Sequence, residues 1–273
     1  LDIWHETYDA TVGLAEDLVW RKDVGPAIEH LPENIREIWH YGFTEMFNNV
    51  IDHSQANTVT VHFRRTAMTT ELMIIDDGVG IFFKIQQALG LLHERHAVLE
   101  LAKGKLTTDP ANHTGEGIFF TSRMFDAFDI LSGGVYFTHS FEEEERWILE
   151  AGQAHGTQVW MKINNHTART VKSVFDQFTA GDDFGFNKTV VPVRLAQYGD
   201  DKLVSRSQAK RLLVRIDRFK VVILDFDGVE TIGQAFADEV FRVFANNNPQ
   251  LELIPVHMTA AVQQMVRRAM AVN

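Results

Sequence analysis

The chain has 273 residues, of which 45% are hydrophobic, and this size and composition predict a folded protein of two domains or one large one. The net charge of −11 and the pI near 5.5 disfavour general binding to a nucleic-acid backbone, which needs clustered positive charge. The sequence has no cysteine, which excludes disulfides, thiolate metal sites and cysteine nucleophiles. It also has no apolar run near the ~18 residues of a membrane span and no signal segment at its start. We therefore expect a soluble, cytoplasmic protein without a membrane partner.

The first part of the chain predicts an α+β arrangement. Residues 1–32 are predicted to be a helical or irregular lead-in. Residues 33–53 follow as a long amphipathic helix, because five large apolar side chains share one face: Trp39, Phe43, Met46, Phe47 and Val50. Further helices are predicted at 83–102 and 118–128, with a polar loop at 103–114 between them. The predicted strands are 58–64, 71–75, 130–131, 135–139, 147–149 and 157–163.

The last part of the chain has a different pattern and a different charge. Residues 164–187 are predicted to connect, and beyond them short strands and helices alternate, which is typical of a small α/β domain. The predicted strands there are 190–195, 202–204, 221–225 and 252–256, and the predicted helices are 207–216, 232–245 and 260–270. From Lys188 onward the chain carries 12 basic and 9 acidic residues, whereas the preceding residues carry 14 and 28. This asymmetry supports two domains, although compositional drift would produce it too.

Polar side chains follow one edge of the long predicted helix. At 100° per residue, Glu45, Asn49, Asp52 and His53 fall within one stripe beside the apolar face. An asparagine oxygen can join a Mg²⁺ shell, and a carboxylate one turn earlier can polarise a water or a hydroxyl. A plain helix with a solvated face explains the same pattern.

Two glycine-containing segments are further candidates. Asp76-Asp77-Gly78-Val79-Gly80 follows an apolar strand, where a carboxylate can accept a hydrogen bond from an amine such as that of adenine, although a hairpin turn has the same signature. His113-Thr114-Gly115-Glu116-Gly117 stands directly before a predicted helix. Free backbone N–H groups at a helix start suit phosphate, but the segment is neither a Walker A loop nor a Rossmann fingerprint.

These segments, followed by Gly156-Thr157 on a later strand, resemble in their order and spacing the GHKL ATP-binding superfamily of gyrase, heat-shock chaperones, histidine kinases and mismatch-repair ATPases. The resemblance covers residues 30–165 and implies a Bergerat α/β sandwich that binds ATP and Mg²⁺. It implies that Asn49 coordinates Mg²⁺, that Asp76 reads adenine beside Gly78, Gly80 and Thr157, and that Thr114, Gly115 and Gly117 border the triphosphate.

The same resemblance implies further roles. Residues 103–114 become an ATP lid from which Lys105 reaches phosphate, although a solvated lysine is the alternative for that residue. Glu45 matches the general base of the hydrolysing and serine-kinase branches, and Asp52 lies on the same helix. His53 matches a histidine of the anti-sigma-factor serine kinases, the branch nearest by this helix. No phosphoacceptor helix pair with its own histidine precedes residue 33, which disfavours a self-sufficient histidine kinase.

Residues 220–244 resemble the central strand, loop and helix of STAS domains, the fold of anti-sigma-factor antagonists. The helix start that carries a phosphorylatable serine in that family reads Gly233-Gln234-Ala235 here, without a hydroxyl. Asp225 and Asp227 give a second interpretation, an Asp-x-Asp phosphatase nucleophile, which lacks its other partners.

The predicted architecture is therefore an α+β chain: a lead-in at 1–32, a GHKL domain at 33–170, a connector at 171–187 and a smaller STAS-like domain at 188–273. We expect a Mg·ATP-binding regulatory protein whose nucleotide state switches protein–protein contacts, with the STAS-like domain or another protein as partner. Slow ATPase or protein-kinase turnover would use Glu45. The alternatives are a non-hydrolysing ATP sensor and the sensor part of a larger, DNA-binding regulator. Homodimerisation is left open.

Overall fold

A computed structural model describes residues 1–11, 13–107, 114–140, 149–181, 185–197 and 202–271, with 149–154 described by backbone alone. The fold is mixed α/β, with one five-stranded antiparallel sheet and one three-stranded parallel sheet, as expected for the α+β class. The chain divides into two compact units: the first unit is Leu1–Val98 with Leu106–Phe175, and the second unit is Leu99–Lys105 with Asp176–Asn273.

The first unit is built on the antiparallel sheet, whose strand order is β1-β2-β3-β5-β4. The strands are β1 (Asp2–Asp9), β2 (Thr58–Arg65), β3 (Thr69–Asp76), β4 (Ala127–Ser140) and β5 (Leu149–Asn164). Every second residue of β3 is buried, as in a strand with one face on the core. The sequence also predicts a solvated hairpin tip at residues 142–145, which lie outside the described residues.

The lead-in prediction for residues 1–32 is wrong for its first part, because Asp2–Asp9 pairs with β2 along its whole length. Its alternating residues are mostly exposed, so the strand lacks the apolar alternation by which such a segment is recognised. This segment is a strand because it pairs with β2, and its composition alone does not predict one.

Helices cover the rest of the first unit. They are α1 (Glu16–Val19), α2 (Gly25–Ile28), α3 (Glu33–Asn49), α4 (Ile81–Leu89), α5 (Arg95–Lys103), α6 (Gly117–Met124) and α7 (Val171–Asp176), with α5 and α7 ending in the second unit. Two π-helical segments, Trp20–Val24 and Val50–Ser54, continue α1 and α3. The apolar face predicted for the long helix is confirmed: its four predicted large side chains on α3, and Val50 at the start of the π-helical segment, are all at most 6% exposed.

Local backbone conformations explain why several helices and strands begin or end at residues other than the predicted ones. The helix predicted at 83–102 is two helices, because Gly90 ends α4 with a φ of +62° that continues no helix. The helix predicted at 118–128 ends at Met124, since the chain enters β4 at Ala127. The two short strands predicted at 130–131 and 135–139 are parts of β4, joined through a register shift at Gly133.

The second unit contains the parallel sheet, with order β6-β7-β8. Its elements are β6 (Lys188–Pro192), α8 (Arg206–Leu213), β7 (Val221–Asp225), α9 (Gln234–Asp238), α10 (Ala245–Asn247), β8 (Glu252–Val256) and α11 (Ala260–Met270), with a π-helical segment Glu239–Phe244 between α9 and α10. The predicted alternation of strands and helices is confirmed, and helices between the strands are what parallel pairing requires. The strand predicted at 190–195 ends earlier, because Val193–Ala196 form a 3₁₀ turn. The strand predicted at 202–204 is reduced to one bridge, between Leu203 and Ile232.

Across the described ranges, no helix has the length and apolar character needed to cross a bilayer.

Candidate functional site

The centre of the candidate site is Asp76, the last residue of β3. Its side chain is 4% exposed, and its Oδ1 accepts hydrogen bonds from the backbone N–H groups of Gly78 at 2.8 Å and Thr157 at 3.3 Å. Asp76 and Thr157 are opposite each other in the β3–β5 register. The sheet thus brings together two motifs that are 81 residues apart in the chain.

Burial raises the pKa of the Asp76 carboxyl above its ordinary value. The two N–H donors partly offset this effect, and the nearby charge of Asp77 adds to it. The second oxygen, Oδ2, accepts no hydrogen bond from the described residues. A buried carboxylate in this state is suited to a ligand that donates a hydrogen bond.

The turn after Asp76 is not a hairpin, so that alternative is wrong: β3 leads directly into α4. Gly80 takes a φ of +85° at the start of α4, a conformation that side chains rarely adopt. A Cβ at Gly78 would lie 2.2 Å from the carbonyl oxygen of Ser54, and the Val79 N–H donates to that same oxygen at 2.9 Å. The turn therefore packs backbone against backbone at the end of the π-helical segment that follows α3.

Gly156-Thr157 closes the other side of this turn. The Thr157 Oγ1 accepts a hydrogen bond from the Ile81 N–H at 3.0 Å. A Cβ at Gly156, where φ is +72°, would lie 1.9 Å from the carbonyl oxygen of Asp76. These two residues, which meant little in sequence alone, are the residues through which β5 contacts Asp76.

Sequence reasoning missed Ser132 and Ser54. Ser132 Oγ donates to the carbonyl oxygen of Gly156 at 2.9 Å, and a Cβ at Gly80 would lie 2.7 Å from Ser132 Oγ. Neither serine stands in a recognisable motif, because each acts through strand pairing or through its own carbonyl oxygen. Only the sheet register could have revealed Ser132, and only the packing of the turn against the π-helical segment could have revealed Ser54.

Glu45 lies on α3 beside the glycine-containing segment that begins α6. A Cβ at Gly117 would lie 2.0 Å from Glu45 Oε2, so any other residue there would displace the end of this carboxylate. The structure therefore brings together Glu45 and the Gly115–Gly117 segment, which the sequence places 70 residues apart.

The polar stripe predicted on the long helix holds only for its first half. Asn49 is the last residue of α3, and Asp52 and His53 lie in the π-helical segment Val50–Ser54. A π-turn pairs residues five apart and not four, so the angle of 100° per residue does not extend to Asp52 and His53. Asp52 is exposed and His53 half-buried, and Lys84 Nζ donates to the carbonyl oxygen of His53 at 2.7 Å.

The half-buried Asn49 side chain makes no hydrogen bond to the described residues. Within those residues no group of three or more His, Asp or Glu could hold a metal ion by itself. One asparagine oxygen nevertheless fits a Mg²⁺ that arrives bound to nucleotide phosphates, because Mg²⁺ in such sites takes few protein ligands.

The Gly-x-Gly segment is partly described. Gly115 has a φ of +73°, and a Cβ there would lie 2.4 Å from the Leu106 backbone, whose N–H donates to the Gly115 carbonyl at 3.0 Å. Thr114 is exposed. His113 and residues 108–112 of the predicted lid lie outside the described residues.

Lys105, predicted to reach phosphate, belongs to the second unit. Its Nζ donates to the carbonyl oxygen of Arg218 at 3.1 Å and lies 4.8 Å from the centroid of the Phe219 ring. A lysine amine held by a carbonyl and an aromatic face is already stabilised as a cation. The structure thus gives Lys105 a local structural role, and its phosphate contact stays a prediction.

Glu45 also lines a cavity of about 820 Å³. Its lining includes Trp20, His40, Tyr41, Glu45 and Lys172. Burial raises the pKa of Tyr41, and the carboxylates of Glu45 and Glu116 raise it further. Tyr41 therefore stays a neutral hydroxyl beside Glu45.

The second unit has a buried ionic cluster at the end of α5. Lys103, which is 0% exposed, donates from Nζ to Glu100 Oε1 at 2.7 Å and to the carbonyl oxygens of Arg211 and Val214 at 3.1 and 2.9 Å. Arg215 Nη1 donates to Glu100 Oε2 at 2.8 Å. Burial lowers the pKa of Lys103 to about 8.

The Asp-x-Asp segment after β7 forms a surface pair. Asp225 Oδ1 lies 2.8 Å from His257 Nδ1 and accepts the Asp227 N–H at 3.0 Å. The Asp225 carboxylate raises the pKa of His257. Since Asp225 is already paired with a histidine, the arrangement gives no support to the phosphatase interpretation.

Comparison with known proteins identifies one part of the chain. A family model described as a STAS-like domain of unknown function (DUF4325) matches residues 208–263, about a fifth of the chain. The match spans β7, α9, α10 and β8, so the STAS-like prediction for the C-terminal part is confirmed at this level. No curated protein matches the sequence.

Proposed function

We propose that the first unit binds Mg·ATP and that the protein is an ATP-dependent regulator of the GHKL type. The observation that carries this proposal is the Asp76 arrangement, in which Oδ1 is held by two backbone N–H groups while Oδ2 is left as an acceptor. Adenine presents an exocyclic amine, which needs such an acceptor. The glycines at 78, 80 and 156 keep the walls of this site free of side chains.

The phosphate end of the nucleotide would lie at the start of α6. An eight-residue helix presents N–H groups and the positive end of its dipole there. This suits a protein of net negative charge, because it must bind a polyanion through local groups and not through bulk charge. Mg²⁺ on the phosphates would take the Asn49 oxygen as its protein ligand.

Turnover would use Glu45. Its carboxylate lies against Gly117 at the start of α6 and also lines the 820 Å³ cavity. A group in that position can accept a proton from a water or hydroxyl that attacks the terminal phosphate. The water or hydroxyl that attacks the phosphate could reach Glu45 through the cavity. Both ATP hydrolysis and phosphate transfer to a protein Ser or Thr are therefore compatible with the geometry.

The STAS-like part would provide protein contacts, not a phosphoacceptor at the usual position. The start of α9 reads Gly233-Gln234-Ala235, where no side chain has a hydroxyl. A regulator of this kind would use its nucleotide state to change which protein surfaces meet.

Calorimetry of the full chain with Mg·ATP tests the proposal. We expect one site per chain, and absence of binding up to millimolar ATP would contradict it. Turnover is then followed with γ-labelled ATP, alone and with candidate partner proteins. Released phosphate identifies an ATPase, label that stays on protein identifies a kinase, and binding without either leaves a non-hydrolysing sensor.

A further inference from the structure

A second cavity, of about 740 Å³, lies within the second unit. Three arginines from separate helical segments line it: Arg206 at the start of α8, Arg242 in the π-helical segment after α9, and Arg268 on α11. Ala235, Ala269 and Ala271 are also part of the lining, so small side chains leave the space between the guanidinium groups open.

The charges in this arginine cavity do not balance. Asp238 is the acidic residue among the described lining residues, and it is already paired with Arg242, whose Nη2 donates to Asp238 Oδ2 at 2.7 Å. The hydrogen bond from Arg242 lowers the pKa of Asp238, and the charge of Arg206 lowers it further. Arg206 and Arg268 form no ion pair with the described part of the chain.

Two guanidinium groups that line one cavity without an acidic partner make it a positively charged site, which a bound anion would stabilise. Each presents a planar fork of N–H donors that matches two oxygens of a phosphate or carboxylate. Phosphate monoesters are favoured over carboxylates, because one phosphate has enough oxygens for both forks and carries up to two negative charges. The cavity is much larger than a phosphate ion and falls in the range of small-molecule sites, about 300–1,000 Å³.

We propose that the arginine cavity binds a small phosphate ester, with its phosphate between Arg206 and Arg268. The site does not depend on ATP binding in the first unit, because all of its residues belong to the second. Its occupant would make the STAS-like part a sensor of a phosphorylated metabolite.

The test is calorimetry on the full chain with three probes at constant ionic strength: inorganic phosphate, glucose 6-phosphate and AMP. We expect binding at one site, with the esters tighter than inorganic phosphate. Arg206→Gln and Arg268→Gln should each weaken it by about tenfold or more, as expected for loss of a charge-assisted pair. Asp238→Asn should tighten it, because it removes the negative charge of the cavity and frees Arg242.

Arg267→Gln is the matched control. Arg267 is exposed on the same helix but does not line the cavity, so this variant should bind like the wild type. Arg206 and Arg268 are exposed too, and unchanged thermal unfolding will show that their variants fold. AMP affinity is also measured for the Asp76→Asn variant, so that AMP binding to the first unit can be distinguished from AMP binding to the arginine cavity. No binding of any probe, or equal affinities in the Arg267 and Arg268 variants, would overturn the proposal.

Discussion

The substitution Asp76→Asn separates the role of this residue in binding from its role in the fold. An asparagine Oδ1 can still accept the N–H groups of Gly78 and Thr157, so the turn keeps its hydrogen bonds. The amide nitrogen then stands where Oδ2 stood. It is a donor that would face the amine of the proposed adenine, itself a donor, so the variant should lose one hydrogen bond and place two donors against each other.

The expected loss of affinity follows from these two terms. A hydrogen bond to a charged group contributes about 1.5–3 kcal/mol, and a buried donor without an acceptor costs a further ~1–3 kcal/mol. A total of about 3 kcal/mol or more raises the Kd for Mg·ATP by about 100-fold or more.

The stability of the nucleotide-free protein should change in the opposite direction. Burial raises the native pKa of Asp76, so at neutral pH the folded state carries a charged group that the unfolded state solvates better. Asp76→Asn removes this penalty and should raise the free energy of unfolding at pH 7. The gain should disappear as the pH falls through the raised native pKa to the unfolded value, because native Asp76 is then protonated and also neutral.

Calorimetry with Mg·ATP and urea unfolding at several pH values measure both effects. Asp77→Asn is the matched control, because Asp77 is exposed and its Oδ1 accepts the N–H groups of Asn57 and Thr58 at 2.8 and 2.9 Å, away from the proposed adenine contact. It should leave ATP affinity unchanged. Equal ATP affinity in wild type and Asp76→Asn would refute the adenine assignment, whereas a destabilised Asp76→Asn would refute the reasoning on burial.

Three further predictions concern other parts of the chain. Glu45→Gln should keep Mg·ATP binding and remove phosphate release or transfer in a radiolabel assay; unchanged turnover would exclude it as the base. Gly156→Ala should lower the free energy of urea unfolding by more than about 3 kcal/mol, because its Cβ would overlap Asp76, whereas Gly90→Ala, with open space around it, should cost about 1–2 kcal/mol. Lys103→Met should lower the free energy of unfolding by about 3 kcal/mol, because it leaves Glu100 and two carbonyl oxygens without their buried donor. The difference in this free energy between wild type and variant should increase between pH 8 and 10.5, where native Lys103 loses its proton before the unfolded chain does.

The sequence predicted the elements that carry strong periodicity or alternation. The apolar face of α3, the strands β2 and β3 and the order of elements in the second unit are found as expected, because burial of one face leaves a clear pattern. It did not predict β1, whose residues are mostly exposed and whose conformation depends on pairing with β2.

Most residues of the candidate site could be predicted from the sequence, but their arrangement in space could not. The motifs at Asp76 and Gly156-Thr157 were recognised, while their meeting depends on the β3–β5 register. Ser54 and Ser132 act through backbone contacts that no local pattern records. The positions of Asp52 and His53 could not be derived, because the sequence does not show where an α-helix changes to a π-helix.

The three π-helical segments among the described residues share one property. Trp20–Val24 begins with a residue that lines the cavity of Glu45, Val50–Ser54 ends in the carbonyl that packs on Gly78, and Glu239–Phe244 carries Arg242 into the arginine cavity. A π-turn is less favourable than an α-turn and is often found at functional sites. Deleting one residue from each segment would restore an ordinary helix and rotate the following residues away from the site. Such deletions should therefore disturb the proposed sites more than they disturb the fold, which ligand binding and thermal unfolding of the same variants would show.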